Sequence, residues 1–160
     1  MEFRGFDTGE QLGAAAAAHV AAAIRRAIEA RGEARVIAAT GASQFAFLDA
    51  LARQPGVDWS GVTFFHLDEY LGLPETHPAS FRRYLRERIV EPLRPGRFEF
   101  ADGTAADPAA ECARLERAIR ERPIDLAIVG VGENGHLAFN DPPADFSTGR
   151  AYLVVALDRA

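Results

Sequence analysis

The run Ile124 to Val129 (IDLAIV) has the length and Ile/Val content of a buried strand, and it stops abruptly at Gly130. The segment that follows, GVGENGHLAFNDP from Gly130 to Pro142, brings together three glycines, a histidine, two asparagines and an aspartate. In open α/β sheets, ligands bind just past the carboxyl ends of the strands. A buried strand that empties into titratable and glycine-rich sequence therefore constrains both the architecture and the place of the chemistry.

The same arrangement occurs twice more. Arg35 to Ala39 reads as a short buried strand ending in a small-residue turn, Thr40, Gly41, Ala42 and Ser43. Val62 to His66 (VTFFH) is β-branched and aromatic and runs into the loop LDEYLGLPETHP. Helices are predicted between and around these strands: residues 9–31, stopped by Gly32; 44–53, ended by Pro55 and Gly56; 79–90, with Pro78 near its start; and 108–120, capped by Asp107 with Pro108 in its first turn. Further strands are expected around Phe98 to Phe100 and over Tyr152 to Ala156 (YLVVA). Strands alternating with helices predict an α/β fold, a mostly parallel sheet with helices on both faces in a Rossmann-like three-layer αβα arrangement. At 160 residues a single domain is expected. A final strand with no helix behind it leaves a sheet edge poorly covered, which would favour a homo-oligomer.

The net charge of -5 argues against nucleic acid held through phosphate contacts, and it leaves room for a small anion in a local pocket. All 18 basic residues are arginines, which excludes a Schiff-base or P-loop lysine. Cys112 is the only cysteine; it falls in a helical pattern and is expected to pack. At the amino end, acids precede the apolar stretch and Arg25 and Arg26 follow it, the reverse of a signal peptide. No run is long enough to cross a membrane, so no membrane partner and a cytoplasmic location are expected.

Each loop has a functional reading and a plain one. Thr40 to Ser43 can cradle an anion at the positive end of the next helix, or can simply form a turn with Ser43 as a helix cap. Asp68 and Glu69 are adjacent acids at a strand end among apolar neighbours. They are solvated loop carboxylates, or one of them has a raised pKa and acts as a base. His136, set among Gly130, Gly132 and Gly135, suits general acid–base work near neutral pH, with Asn134 or Asp141 orienting its ring. The spacing of His66, His77 and His136 is not that of a metal site. GVGENG spells a dinucleotide fingerprint, yet His and Asn-Asp-Pro-Pro follow it where a helix should begin.

Taken together, ATGAS, FHLDEYLGLPETHPASFRRYLRERI and GVGENGHLAFNDP resemble the glucosamine-6-phosphate deaminase/isomerase family, whose wider superfamily includes 6-phosphogluconolactonase. The resemblance runs from the first helix to Asp141, and the two longer motifs are highly specific. It implies that Asp68 moves the proton between C2 and C1 of the sugar, that His136 opens the pyranose ring, and that Asn134 and Asp141 support that histidine. It implies that Thr40, Gly41, Ala42 and Ser43 lie near the substrate phosphate, with Glu69 and Gly135 also at the substrate. The implied reaction converts glucosamine 6-phosphate and water to fructose 6-phosphate and ammonia, with no cofactor and no metal. The partner is a small phosphorylated amino sugar.

The chain departs from the family pattern in three ways. Many members carry Asp at the position of Asn134 and Glu at that of Asp141, and members continue well beyond 160 residues, supplying further basic residues and a lid. Two rival readings remain. One is a lactonase of the same superfamily, against which stand His-Leu-Ala-Phe-Asn and DEYLGLP. The other is a phosphosugar-binding regulator without turnover.

Overall fold

In the computed structural model, residues 2–141 and 143–157 are described; Pro142, the end of the glycine-rich motif, lies outside them. Helix α1 (Gly9–Arg31) is alanine-rich and capped at both ends. The Thr8 hydroxyl accepts from the Gln11 N–H at 3.2 Å, and Gly32, at φ 77°, donates to the Ile28 carbonyl at 2.7 Å. Small side chains let α1 press against α2 (Phe45–Ala52). At Gly13 a Cβ would lie 2.7 Å from the Ala46 carbonyl carbon, so this crossing tolerates only glycine.

Strands β1 (Ala34–Ala38), β2 (Val62–His66), β3 (Arg97–Glu99) and β4 (Leu126–Ile128) form one sheet in the order β3-β2-β1-β4, every pair parallel. The expected strand Ile124 to Val129 is shorter at both ends. At its start the Asp125 N–H still donates to the Arg35 carbonyl at 2.9 Å, but the Arg35 N–H is taken by the Asp125 carboxylate at 2.8 Å, which also pairs with Arg31. Phe81–Leu85 forms α3, which continues through a π-helical stretch (Arg86–Val90) into α4 (Glu91–Leu93). The predicted helix there begins two residues late, because Ser80 rather than Pro78 marks its start: the Ser80 hydroxyl accepts from Arg83. Helix α5 (Pro108–Arg120) has the expected bounds, with the Asp107 carboxylate accepting from Ala109 and Ala110.

The two faces of the sheet differ. On one, Val36, Ala38, Val62 and Phe64 pack with Ala17, Val20 and Ile24 of α1, Leu48 and Leu51 of α2, and Leu85, Ile89 and Leu93 of the α3–α4 run. Each fully buried Leu, Ile or Phe there contributes about 1.5–3 kcal/mol. The alternate residues Arg35 and Phe65 turn the other way, toward α5. The Arg35 guanidinium lies 4.7 Å over the Phe65 ring and donates to the Ala118 carbonyl near the end of α5. A cation at a helix carboxyl end is favourable, so the helix dipole offsets the burial of this charge.

The strand expected over Tyr152 to Ala156 does not form. These residues form no backbone ladder with a neighbouring strand; Leu153, Val154 and Val155 are roughly half exposed, and the segment is tied down through the Tyr152 hydroxyl, which donates to the His66 carbonyl of β2 at 2.8 Å. β-branched composition favours a strand only where a partner strand offers hydrogen bonds. No helix among the described residues is long and apolar enough to cross a membrane.

Candidate active site

Strand register sets the site. Ala38 pairs with both His66 and Ile128, so β1, β2 and β4 end at one level. The ladder continues one step beyond, with Ala39 N–H donating to Ile128 at 3.1 Å and Leu67 N–H to Ala38 at 3.2 Å. Three loops therefore leave the same edge of the sheet side by side, as the sequence predicted.

The first loop holds Thr40 to Ser43. Gly41 adopts φ 115°, which favours glycine, and a 3-10 turn (Ala42–Gln44) follows without a side-chain cap. Ser43 is thus not the helix cap that the plain reading required. The Tyr84 hydroxyl donates to the Gly41 carbonyl at 2.9 Å, which ties the turn to α3. Gln44 is buried, and its amide approaches Gly130 of the third loop.

The second loop carries Asp68. Burial, and then the neighbouring Glu69 charge, raise its pKa to about 6, while His136 pulls it back down. The carboxylate is ionised at pH 7 and still holds a proton well enough to act as a base. Beneath the loop, His66 is fully buried; its Nδ1 accepts from the Ala101 N–H at 3.2 Å. Burial, assisted by the Arg82 charge, lowers its pKa to about 3, so it is neutral and structural.

The third loop carries His136. Its Nδ1 lies 2.6 Å from Asn134 Oδ1 and 3.0 Å from Asp141 Oδ1. Both partners are acceptors, so Nδ1 bears the proton and Nε2 keeps its lone pair. Asn134 Nδ2 donates to Asp141 at 3.1 Å, which fixes the orientation of the amide. An aspartate in place of Asn134 would set two like charges in contact here; the amide joins imidazole to carboxylate instead. Gly132 is required by close approach, because a Cβ would lie 2.3 Å from the His136 ring. Gly135 adopts φ 86° and closes the turn by donating to the Gly132 carbonyl at 2.9 Å.

An aromatic clasp joins the second and third loops. Phe139 sits 4.8 Å from Tyr70 and 5.9 Å from Phe81, ring centre to ring centre. The preceding residue, Ala138, is held at φ 55°, strain that the packed Phe139 sustains. A cavity of about 330 Å³ opens between Asp68, Tyr70, Phe139, Cys112 and Tyr152; Thr40 to Ser43 and His136 lie outside it. Burial raises the Cys112 thiol, in keeping with a packing role. Sequence reasoning missed Tyr84, Gln44 and Phe139. The AFN residues lie within the quoted motif, but Tyr84 reads as one more residue of a helix, and nothing in one sequence aims its hydroxyl.

The fold and the three loops define an α/β protein with a carboxylate and an imidazole gathered at the carboxyl edge of a parallel sheet. Residues 7–158 match the family model described as glucosamine-6-phosphate isomerases/6-phosphogluconolactonase, and the chain belongs to that family. It is 38% identical to a glucosamine-6-phosphate deaminase from an Arthrobacter species over 145 residues, 87% of this chain and 54% of that one. It is 42% identical to one from an Exiguobacterium species over 90 residues, 56% of this chain and 35% of that one. The chain thus spans about half the length of these relatives or less. Among solved structures, a monomeric glucosamine-6-phosphate deaminase superposes with a TM-score of 0.83 at 28% identity, over 92% of this chain and 62% of that one. A 6-phosphogluconolactonase from Shewanella baltica shares the fold, with a TM-score of 0.74 at 24% identity over 82% of this chain and 57% of that one.

Proposed function

We propose that the chain catalyses the conversion of glucosamine 6-phosphate and water to fructose 6-phosphate and ammonia. The observation that carries this reading is the pairing of a half-buried carboxylate, Asp68, with a nearby imidazole whose Nε2 is left open by its Nδ1 contacts. His136 Nε2 takes the proton of the C1 hydroxyl and returns one to the ring oxygen, opening the pyranose. Asp68 removes the C2 proton as O1 takes a proton from His136, giving the enolamine; Asp68 then delivers its proton to C1 while the amine nitrogen returns one to His136, which leaves an imine at C2. Water adds at C2 and ammonia departs, completing the balance. The Thr40–Ser43 turn binds the phosphate through backbone N–H groups, holding C1 and C2 against the two catalytic groups. Asn134 and Asp141 hold the imidazole in one tautomer. The 38% identity to a deaminase over most of the chain supports this reading over lactone hydrolysis.

The test is ammonia release from glucosamine 6-phosphate by the purified chain, beside a fructose 6-phosphate assay. Equal amounts of both are expected. A folded chain that binds the phosphosugar and releases neither product would instead be a binding regulator.

A further inference from the structure

We infer that Glu69 is a positioning residue: its carboxylate pins the Asp68 loop to the first turn of α3 and stands as a fixed negative charge beside the base, and it does not reach the sugar. The inference rests on the reading of Asp68 as the base.

Both Glu69 oxygens are spent inside the protein. Oε1 accepts from the N–H groups of Tyr70 at 2.9 Å and Phe81 at 3.1 Å. Oε2 accepts from the Ser80 hydroxyl at 3.0 Å and the Arg82 N–H at 2.8 Å. The first N–H groups of a helix have no partner within it, and this carboxylate serves two of them. Ser80 is 2% exposed, so its hydroxyl has no recourse to water. The opposite side of the loop is blocked by residues 101–103. A Cβ on Gly103 would lie 2.2 Å from the Tyr70 carbonyl oxygen and 3.1 Å from Glu69 Cγ. The Gly72 N–H donates to the Gly103 carbonyl at 2.7 Å. Asp68 is thus carried on a short segment fastened on both sides.

The charge has a second effect. An anion held one residue away disfavours the ionised form of Asp68, in the same sense as its burial. Among the described residues, the other charged groups around Asp68 are His136 from the glycine loop, which acts oppositely, and Asp102, Glu111, Asp145 and Arg150 around the shared cavity. Of these, Glu69 alone is tied to the segment that carries the base.

The test reads the Asp68 carboxyl carbon by NMR against pH in the full chain, with the signal assigned by its loss in Asp68→Asn, alongside amide exchange at Phe81 and Arg82. In Glu69→Gln, an NH₂ group faces backbone donors and the charge is gone. The Asp68 midpoint should then fall toward the ordinary carboxylate range, and the two amides should exchange roughly tenfold faster. Glu69→Asp keeps the charge but shortens the reach, so the midpoint should stay raised while the amides loosen. An unchanged midpoint in Glu69→Gln would overturn the inference. Should that variant not fold, unchanged protection of Phe81 and Arg82 in Glu69→Asp overturns it instead. Neither readout needs turnover, so failure of the deaminase reading would appear separately, as absent ammonia with these signals intact.

Discussion

The loops bearing Asp68 and His136 leave the carboxyl edge of the sheet on either side of β1, yet they are held in different ways. The Asp68 loop is half-buried and fastened from outside, by Glu69 to α3 and by Gly103 behind it. The His136 loop has no fully buried residue among those described and follows β4, one of the two edge strands. Its order comes mostly from within, through the Asn134–His136–Asp141 contacts and two glycines, and Phe139 is its anchor to the rest of the site. In the proposed reaction the base needs a tuned environment, which burial provides, and the group that would shuttle protons to the sugar ring needs access and one fixed tautomer, which local hydrogen bonds provide without burial.

The sharpest test of this contrast is Asp68→Asn. It should slow C2 proton exchange, followed as deuterium uptake from heavy water, by about 10³-fold while phosphosugar binding persists. The same variant reports on burial. Because the folded pKa, about 6, lies above the ordinary 3.8, ionisation of Asp68 opposes folding, and the cost grows as pH rises from about 4 to about 6. Asp68→Asn should therefore unfold at higher denaturant at pH 7, by about 1–3 kcal/mol, and show no such gain at pH 4. Loss of stability at pH 7 would mean that the carboxylate is held by bonds rather than merely buried.

Gly132→Ala attacks the other loop. The added methyl displaces the His136 ring, and turnover should fall by about 10²-fold with the melting temperature nearly unchanged, since the loop adds little to the core. A large drop in melting temperature would erase the distinction between the loops. Asp141→Asn keeps the shape and removes the charge that steadies the protonated ring; ammonia release should slow by about tenfold. Phe139→Ala, the mildest, should speed amide exchange in residues 132–140 a few-fold while leaving Tyr70 and Phe81 amides protected. Equal loosening of both loops would show that the clasp, and not Glu69, holds the Asp68 side.

Much of this was legible in the chain. Val62 to His66 and Pro108 to Arg120 have the predicted bounds because their signals are local: a dense β-branched and aromatic run, and an Asp-Pro cap. The parallel sheet and the gathering of three loops at its carboxyl edge follow from the alternation of elements, whereas the strand order β3-β2-β1-β4 was not legible in it. The strand expected at Tyr152 to Ala156 failed because pairing is a property of two segments, and composition reports only one. The resemblance places Glu69 at the substrate; its contacts with Ser80, Phe81 and Arg82, up to thirteen residues further along the chain, are ones that no local pattern encodes. Asn134 stands where many family members carry Asp; its contact with Asp141, seven residues on, gives the amide its place.

The common level at which β1, β2 and β4 end makes the sheet a ruler for the distances of the proposed reaction. The roots of the Asp68 and His136 loops are set by hydrogen-bond ladders laid down inside the protein. Lengthening a loop perturbs one graduation; a slip of β4 by one residue would move the whole histidine loop along the scale by about 3.3 Å and turn its root to the opposite face.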